Sequence, residues 1–481
     1  MGGFSTPTHP IICNTKEPIT ELSQMEGLKV RSLGLIGKLV SDLGGVAVNI
    51  PAPEIYQALQ TGQIDCAGIL AAWLNIDNSL DEVSKSVTLL GWEGSFNSPL
   101  QLFNKDFWQS LTDDQRAEII KLEPPRGDDY RHIGPFNEGE SALFTLNNRG
   151  KKSIALNLKD PEGLRLARAI AAGCDVVVEN FRPGVAEKIG LGPERLRGDH
   201  PGLVYCSISG FGQTGPFRDL PAYDLVVQAM SGLMAATGEE GGAPLKTGES
   251  IADLMGGLFG SWAIMAALVQ KARSGQGATL DVAMYDALFS LLTTSHAQYL
   301  YGGETPQRVG NRHPLSTPFG CFATQDGQVV IAVLTPAQFA RLAELIGQPD
   351  LPQDSRFATD EARTTHEPEL KAMIEGWSRA RSTEAAMTAL AEAQLPSAPI
   401  WDIAQASASE HAQSRELIAH LPHDVLGQAA VVAQPVRFDD EKPAARVSAP
   451  GLGADGESIL RDLCGVDAAE LDDLRKAGVL T

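Results

Sequence analysis

Residues 248–277 read GESIADLMGGLFGSWAIMAALVQKARSGQG, and the rest of the chain is organised around this stretch. Its carboxylate Asp253 stands at the mouth of an apolar run that carries no charge over residues 254–270. Aspartate is a favoured helix N-cap because its oxygens accept the free N–H groups of the first turn. Lys271 suits the negative end of the helix dipole, and Gly275 suits a C-terminal stop. The stretch therefore predicts one long apolar helix with Asp253 at its N-cap.

Three glycines, Gly256, Gly257 and Gly260, leave a bare stripe on the first turns of this helix. Another backbone or a ligand can approach such a stripe closely. The residues alone allow two interpretations, a capped and buried helix or a reactive carboxylate beside a ligand site. At about 17 uncharged residues, the run falls short of a comfortable membrane span.

The composition limits the function classes. With 481 residues and 43% hydrophobic content, the chain can build two or three domains with proper cores. A formal net charge of -21 argues against a nucleic-acid or anionic-membrane partner. The six cysteines form no CxxC pair, which suits a reducing compartment, and the histidines show no metal-ligand spacing. Because no export signal opens the chain, we expect a cytoplasmic protein. Because the histidines lack metal-ligand spacing, we expect no metal site.

The first 118 residues predict a small α/β unit. Strands are predicted at Leu28–Arg31, Ala47–Ile50 and Ile64–Ile69, and helices at Leu33–Leu43 and Glu54–Gln60. The segments GLKVRS, LGGVAVNIPAPEIYQALQTGQIDCAGI and FNKDFWQSLTDDQRAEI resemble the middle-to-late part of solute-binding proteins of TRAP-type transporters. The resemblance implies that Arg31 holds a ligand carboxylate, for which a guanidinium fork is suited. A surface arginine is the alternative, and a non-catalytic solute-binding protein is one function class to consider.

The character of the sequence changes at about Ile119, where strands and helices begin to alternate. The predicted elements are strands at Ser153–Leu158, Asp175–Val178 and Leu203–Ser207 and a helix at Pro161–Ala172 that opens on its proline. This alternation predicts a parallel sheet with helices on its faces.

A second motif, Gly210-Phe-Gly-Gln-Thr-Gly215, matches the dinucleotide fingerprint GxGxxG and follows a strand. The fingerprint must also open a helix whose N-terminus receives the pyrophosphate. Pro216 and Pro221 argue against a regular helix and favour a turn-rich loop. An NAD-dependent oxidoreductase is nevertheless the alternative function that this motif suggests.

Five motifs resemble those of class III CoA-transferases in order and spacing: ENFRPG, SISGFGQTGP, AYDLVVQAMSGLM, TGEEGGAPLKTG and SIADLMGGLFG. That group includes formyl-CoA transferase, carnitine CoA-transferase and the α-methylacyl-CoA racemases, and the resemblance covers about residues 119–481. It implies that Asp253 is the catalytic carboxylate, forming an aspartyl anhydride and then a thioester. It also implies an acyl-CoA and a carboxylic acid as substrates, with no tightly bound cofactor. The racemases have a histidine at the position of Tyr223, so the tyrosine favours a transferase.

The same resemblance places the CoA contacts on Leu156 to Lys159, on Asn180 and Phe181, and on Lys188. It places substrate contacts on Tyr223 and Gly310. Lys188 replaces an arginine of formyl-CoA transferase, which keeps the charge and loses bidentate geometry. The glycine-rich flap of that enzyme is replaced by VGNRHPLSTPFG, which argues against formyl or oxalyl groups. The residues of these motifs resemble more closely those of family members that use dicarboxylates such as succinate or glutarate.

The fold class predicted for the whole chain is α/β. A Rossmann-like parallel-sheet large domain carries a smaller α+β domain and follows the solute-binding-protein-like fragment. The predicted segments are that fragment (1–118), the large domain (119–311), the small domain (312–400) and a return to the large domain (401–481). The small domain is expected to hold a hairpin over Gly320–Val333 around Asp326-Gly327. The resemblance further implies an interlocked homodimer, in which ring-like subunits thread through each other.

The solute-binding-protein-like fragment joins the CoA-transferase-like segment near Ile119. Family members open with a strand–helix unit that supplies the first strand of the nucleotide fold, and nothing before Ile119 matches it. A helix at Thr112–Ile119 is the nearest replacement. We therefore expect a fusion of two truncated genes, in which the missing strand leaves backbone groups unpaired and weakens transfer.

Overall fold

The computed structural model describes residues 10–13, 24, 26–31, 40, 41, 44–48, 50, 55–68, 86–89, 118–437 and 447–481. It divides into two compact units, Met1–Trp108 and Gln109–Thr481. Both units mix helices with strands and contain parallel strand pairs, so the predicted α/β class is confirmed.

The first unit holds a five-stranded sheet in the order β3-β2-β4-β1-β5. Its elements are β1 (Pro10–Cys13), β2 (Lys29–Arg31), β3 (Val46–Val48), α1 (Ile55–Gln60), β4 (Cys66–Gly68) and β5 (Ser86–Leu89). Strand β2 runs parallel to β3 and β4, whereas β1 runs antiparallel to β4 and β5. The three predicted strands and the second predicted helix are therefore present, with slightly shifted ends.

Two other helix predictions fall largely outside the described residues. Of Leu33–Leu43, residues 40 and 41 are described and are helical, and of Thr112–Ile119 only the last two are described. Ile119 begins a strand, so a helix cannot extend to it. Cys66 is disulfide-bonded, which the scattered cysteine spacing did not predict.

The first half of the second unit alternates strands and helices, as predicted. Its strands are β6 (Ile119–Glu123), β7 (Phe136–Asn137), β8 (Glu140–Ser141), β9 (Lys151–Ala155), β10 (Val176–Glu179), β11 (Val204–Ser209) and β12 (Thr279–Ala283). Its helices are α2 (Ala142–Asn148), α3 (Pro161–Ala172), α4 (Val185–Ile189), α5 (Pro193–Asp199), α6 (Asp224–Met230), α7 (Leu233–Ala236), α8 (Ile251–Ser274), α9 (Met284–Leu291) and α10 (Thr293–Leu300). Helix α3 has the predicted ends because Asp160 caps it and Pro161 occupies its first turn.

The parallel strands of this unit form two separate sheets. Strand β6 pairs with β9, and β10, β11 and β12 form a three-stranded sheet in that order. Helix α3 packs against both sheets: Leu166 lies in a core with Ile154 of β9, and Ala171 lies in a core with Tyr205 of β11. Within the described residues, β6 and β10 each have one strand neighbour, so each presents an unpaired edge.

Helix α8 follows the predicted course through its apolar run and ends where the sequence placed its end. Gly275 follows it at φ +71°, and its N–H donates to the carbonyl of Lys271 at 2.8 Å. By length and composition alone α8 is able to cross a membrane, with a mean hydropathy of 1.5, and 22% of its most apolar window is buried in this chain.

A second core lies between an antiparallel sheet and the helices of the same part of the chain. The sheet consists of β13 (Phe319–Ala323), β14 (Gln328–Ala332) and β15 (Ser397–Pro399), and the helices are α11 (Pro336–Leu345), α12 (Asp360–Thr365), α13 (Glu367–Ser378) and α14 (Thr383–Glu392). The hairpin predicted around Asp326-Gly327 joins β13 to β14. Apolar side chains from both layers, including Ile331, Phe339 and Leu390, are fully or almost fully buried there.

The end of the chain returns to β9. Its elements are α15 (Ile403–Ala408), α16 (Glu410–Ser414), the hairpin of β16 (Ile418–His423) and β17 (Gly427–Val432), α17 (Gly456–Cys464) and α18 (Ala468–Lys476). Leu460, Leu471 and Leu480 pack with Ile154 and Leu166 in one core. The last two helices therefore cover the same sheet that α3 covers.

Candidate active site

The start of helix α8 differs from the prediction. The helix begins at Ile251, its N-cap is Ser250, and Asp253 is the third residue of its first turn. Ala252 is fully buried in an apolar core, and Ile251 packs against the same core. This packing holds residues 251–253 in the helix, although they precede the uncharged run. The prediction that Asp253 is the N-cap is therefore wrong.

The carboxylate that serves the first turn of α8 comes from another helix. Asp224, the first residue of α6, accepts a hydrogen bond from the backbone N–H of Ala252 through Oδ1 at 2.7 Å. Its Oδ2 accepts from Nε2 of Gln228 at 2.6 Å. Because helix N–H groups carry partial positive charge, this geometry stabilises both the carboxylate and the helix end.

Asp253 combines an open approach with a raised pKa. Partial burial of its carboxylate raises the pKa first, and the nearby charge of Asp224 raises it further, although the residue as a whole is exposed. The helix dipole alone would favour the anion and lower the pKa of Asp253, so the net shift is in the opposite direction. Gly257 lies one turn along on the same face, with nothing within 4 Å of a Cβ built there. A basic carboxylate beside free space is suited to nucleophilic attack.

Asn180 and Phe181 lie at the carboxyl end of β10, beside the carboxyl end of β11. Nδ2 of Asn180 donates to the carbonyl of Ile208 at 2.7 Å, and the N–H of Phe181 donates to Glu179 Oε2 at 2.7 Å. The side chain of Ile208 in turn lies against Gly256 of α8. The fold therefore brings these two predicted CoA residues and the Asp253 helix to one edge of the sheet.

The other predicted CoA residues have different surroundings. Leu156 is fully buried and its N–H donates to the carbonyl of Glu123 at 2.9 Å, so its side chain serves the core. Lys159 is exposed just after β9, and its backbone N–H donates to Asn157 Oδ1 at 3.2 Å. Lys188 is exposed on the short helix α4. Both ammonium groups are thus placed to meet a ligand from solvent.

The two predicted substrate residues lie in different places. Tyr223 directly precedes α6 and is 80% exposed. Gly310 has φ +63°, its N–H donates to the carbonyl of Gly238, and a Cβ there would lie 3.0 Å from Oε2 of Glu239. It lines a cavity of about 210 Å³ whose walls include Arg312 but neither Tyr223 nor Asp253.

The glycine-rich motif after β11 does not form a dinucleotide site. Residues 210–223 contain turns and no helix. The N–H of Gln213 donates to both carboxylate oxygens of Asp281, at 2.9 and 3.1 Å. This backbone donor of the loop is therefore already bonded to a carboxylate, and no helix N-terminus follows directly to receive a pyrophosphate. Within the described ranges, no three His, Cys, Asp or Glu side chains are grouped as metal ligands.

Asp224 and Gln228 were not among the residues predicted for the site. The detectable signal was their spacing, since an aspartate and a glutamine four residues apart on a helix can form a hydrogen bond. Their second partners, Ala252 and Thr247, lie 28 and 19 residues away in the sequence. No local pattern indicates contacts over such a distance.

Comparison with known proteins adds family matches to this geometry. The model of "CoA-transferase family III" matches residues 110–456, and that of "Bacterial extracellular solute-binding protein, family 7" matches residues 6–129. The chain is similar to the succinate–glutarate CoA-transferase of Agrobacterium fabrum, with 37% identity over 73% of this chain and 90% of that protein. It is equally similar to the acetyl-CoA:oxalate CoA-transferase of Acetobacter aceti, with 37% identity over 76% and 94%. Mouse succinyl-CoA:glutarate CoA-transferase is 35% identical over 76% and 85%.

Solved structures show the same likeness. A CAIB/BAIF family protein from Brucella suis superposes with a TM-score of 0.64 and 35% identity over 72% of this chain and 92% of that one. A Mycobacterium tuberculosis protein gives the same TM-score and coverage with 29% identity. The similarity thus extends over most of the second unit.

Proposed function

The chain belongs to CoA-transferase family III, and we propose that it transfers CoA from an acyl-CoA to a free carboxylic acid through Asp253. The observation that carries the proposal is the Asp253 carboxylate on the first turn of α8, with a raised pKa and with open space at Gly257. A raised pKa makes the ionised carboxylate a better nucleophile, and the glycine leaves room for a thioester.

The reaction proceeds in two halves through covalent intermediates. The ionised Asp253 attacks the thioester carbonyl, the C–S bond breaks, and a mixed anhydride and a CoA thiolate form. The thiolate attacks the aspartyl carbonyl, which releases the donor acid and leaves an aspartyl-CoA thioester. The acceptor carboxylate repeats these steps in reverse, so that the new acyl-CoA leaves and Asp253 is regenerated.

We assign CoA binding to the edge of the sheet near Asp253. Asn180 is held there by its bond to Ile208, and the exposed ring of Phe181 offers an apolar surface beside it. Lys159 and Lys188 supply positive charge for phosphate groups. Because the Leu156 side chain is buried, it contributes through its backbone.

For the substrates, we propose a dicarboxylate or its CoA ester, such as succinyl-CoA. The names of the Agrobacterium and mouse relatives support succinate and glutarate, while the Acetobacter relative acts with acetyl-CoA and oxalate. Tyr223 offers an exposed hydroxyl for the far carboxylate, and Gly310 is the second substrate residue in the assignment. Turnover of succinyl-CoA with several acids, compared with formyl-CoA and acetyl-CoA with oxalate, measures this preference. Preference for formyl-CoA and oxalate would refute it.

The catalytic assignment is tested by a pair of matched variants. Asp253→Ala should abolish transfer, and wild type incubated with acyl-CoA should give a hydroxylamine-sensitive adduct on the Asp253 peptide. Asp286→Ala is the control and should keep wild-type transfer, because Asp286 occupies the same position in α9 and its pKa is also raised, by burial and then by Asp281. Wild-type transfer by Asp253→Ala would refute the assignment. Turnover that requires added NAD would favour an oxidoreductase, and ligand binding without turnover would favour a solute receptor.

We propose a homodimer that covers the open face of α8. Leu254, Leu258, Trp262 and Val269 on this helix are each about half exposed, and a stripe of this kind marks an interface. A second copy of the chain would bury it without a membrane. The protein expressed alone should therefore fractionate as a dimer in the absence of detergent, and Leu258→Asp should weaken that dimer. A monomer, or recovery only with membranes, would contradict the proposal.

We further propose that the fusion impairs transfer. In a doubly wound sheet of order 3-2-1-4-5-6, the first strand lies between the second and the fourth. Taking β6 and β9 as strands two and three, and β10 to β12 as four to six, leaves the first position without a strand among the described residues. The unpaired edges of β6 and β10 and the half-exposed Ile119 and Val178 support this reading. Replacing residues 1–118 by the opening segment of a complete relative should raise turnover, and full activity without this graft would refute the idea.

The proposed location is the cytoplasm, where CoA thioesters are present. Glutathione keeps most thiols reduced there, so the disulfide at Cys66 is the observation that stands against this location. Fractionation of cells, with the protein detected in the cytosolic or the exported fraction, tests the location. Recovery in the exported fraction would refute it.

A further inference from the structure

The buried side chain of Gln228 joins helix α6 to the segment that leads into α8. Its Nε2 donates to Asp224 Oδ2 at 2.6 Å and more weakly to the carbonyl of Glu249 at 3.3 Å. Its Oε1 accepts from the N–H of Thr247 at 3.0 Å. Because Gln228 is fully buried, each of these bonds satisfies a polar group that would otherwise be costly to bury. Gln228 therefore fixes both Asp224 and the segment that leads into α8.

Asp224 in turn fixes Ala252, the residue directly before Asp253. Its Oδ1 accepts from the N–H of Ala252 at 2.7 Å, while the Ala252 side chain is fully buried in a core with Val227 and Met284. Backbone and side chain of Ala252 are thus held from opposite directions. Asp253 follows it directly in a helical turn, so its position is set by the same contacts.

Asp224 also acts on Asp253 through its charge. Burial raises the pKa of Asp253, and the Asp224 carboxylate raises it further. Elsewhere α8 meets β11 and α9 through Ile208, Met284 and Cys206. Burial raises the pKa of the Cys206 thiol to about 11, so this group stays neutral near neutral pH. Asp224 is therefore the charged neighbour whose removal should change the ionisation of Asp253.

We propose that Asp224, oriented by Gln228, is a positioning residue that aims the Asp253 carboxylate at the thioester by fixing the first turn of α8. This inference rests on the proposed function, because it assigns Asp253 as the nucleophile. Asp224 itself does not touch the reacting atoms. It differs from a plain helix cap because its second oxygen is bound to a buried amide that also holds the segment before the helix.

The decisive variants reverse the polarity of the Asp224–Gln228 bond. Asp224→Asn places an amide N–H against Nε2 of Gln228 and removes the charge. It should lower kcat about tenfold or more, with KM for acyl-CoA within about twofold, because one misplaced contact near a nucleophile costs that much. It should also move the acidic limb of the pH–kcat profile to lower pH, since Asp253 loses a negative neighbour.

Combining Asp224→Asn with Gln228→Glu lets the new amide donate to the new carboxylate and should recover most of kcat. Asp286→Asn serves as the control and should leave both kcat and the acidic limb unchanged. A purely structural role would lower thermal stability without moving the acidic limb. An unchanged kcat and pH profile in Asp224→Asn, or no recovery in the double variant, would overturn the proposal.

Hydrogen exchange separates this inference from the proposed function. In wild type the amide of Ala252 should be protected, and Asp224→Asn should speed its exchange while exchange at the end of α8 stays unchanged. This measurement needs no turnover. Protection that is lost in the variant while wild type transfers no CoA would refute the proposed function and support the positioning role of Asp224. Equal exchange in both proteins would refute that positioning role.

Discussion

Replacing Arg131 by methionine should destabilise the second unit, because Arg131 neutralises a carboxylate at the end of β6. Glu123 is 1% exposed there. Nε and Nη2 of Arg131 each donate to one of its oxygens at 2.8 Å, and Ser153 Oγ donates at 2.6 Å. The Arg131 guanidinium also lies 3.7 Å from the centre of the Phe144 ring. The network joins β6, β9 and the loop between them, where β6 has no second strand neighbour among the described residues.

The loss of unfolding free energy depends on the buried Glu123 carboxylate that Arg131→Met leaves without its partner. Removing one partner of a buried ion pair costs about 3–5 kcal/mol, because the other charge stays buried. Ser153 and the N–H of Asp128 still donate to Glu123, so we expect the lower end, about 3 kcal/mol. Adding Glu123→Gln removes the stranded charge and should recover about 1–2 kcal/mol.

Urea-induced unfolding of the full chain, followed by circular dichroism, measures these differences. Arg126→Met is the matched control from the same loop, since the Arg126–Asp129 pair is more than 70% exposed on both sides. Its unfolding free energy should stay within about 0.5 kcal/mol of wild type. A change of less than about 1 kcal/mol for Arg131→Met would refute the reasoning.

The pH dependence of this effect has a defined sign. Burial alone would raise the pKa of Glu123, but hydrogen bonds from Arg131, Ser153 and the Asp128 N–H, together with the Arg131 charge, lower it overall. The resulting stabilisation is present above the unfolded glutamate pKa of about 4.3 and is lost as pH falls through the lower folded pKa. The difference between wild type and Arg131→Met should therefore narrow in acid.

Other outcomes follow from the helix and its surroundings. Gly257→Ala should raise the unfolding free energy by about 1 kcal/mol in urea, because its Cβ meets nothing and alanine favours helix. Gly256→Ala should instead lower it by about 1 kcal/mol, because its Cβ would lie 3.0 Å from Cγ of Met284. Asn180→Ala should raise KM for acyl-CoA about tenfold in steady-state kinetics with kcat within about twofold, since the residue binds and does not react. In a pH–rate profile, kcat should fall as pH is lowered through the raised pKa of Asp253, because the protonated carboxyl cannot attack.

Local sequence signals predicted the elements that are stabilised locally. Asp160 and Pro161 mark the start of α3 by themselves, because one caps the helix and the other fits its first turn. Gly275 ends α8 because it adopts positive φ without a steric cost. The Asp326-Gly327 pair likewise sets its own hairpin. In each case the deciding interactions lie within a few residues of the signal.

The start of α8 was predicted wrongly because two residues, Ser250 and Asp253, satisfied the same local rule. The choice between them depended on the burial of Ala252 and on a carboxylate 28 residues earlier in the chain. Both are tertiary contacts, which no local pattern contains. The local pattern predicted a capping role for the Asp253 carboxylate, whereas in the structure Asp224 accepts from the first turn of α8.

The three glycines of α8 show how one sequence pattern can serve two purposes. Gly256 and Gly260 face β11 and α9, where a Cβ would come within 3.0 Å of Met284 or 2.9 Å of Ile208. They allow the helix to approach the sheet closely and so hold the first turn in place. Gly257 lies about 100° around the helix from Gly256 and one turn from Asp253, where nothing lies within 4 Å of a built Cβ. The proposed transfer needs both properties, because a nucleophilic carboxylate must be fixed in position and still be reached by a bulky thioester.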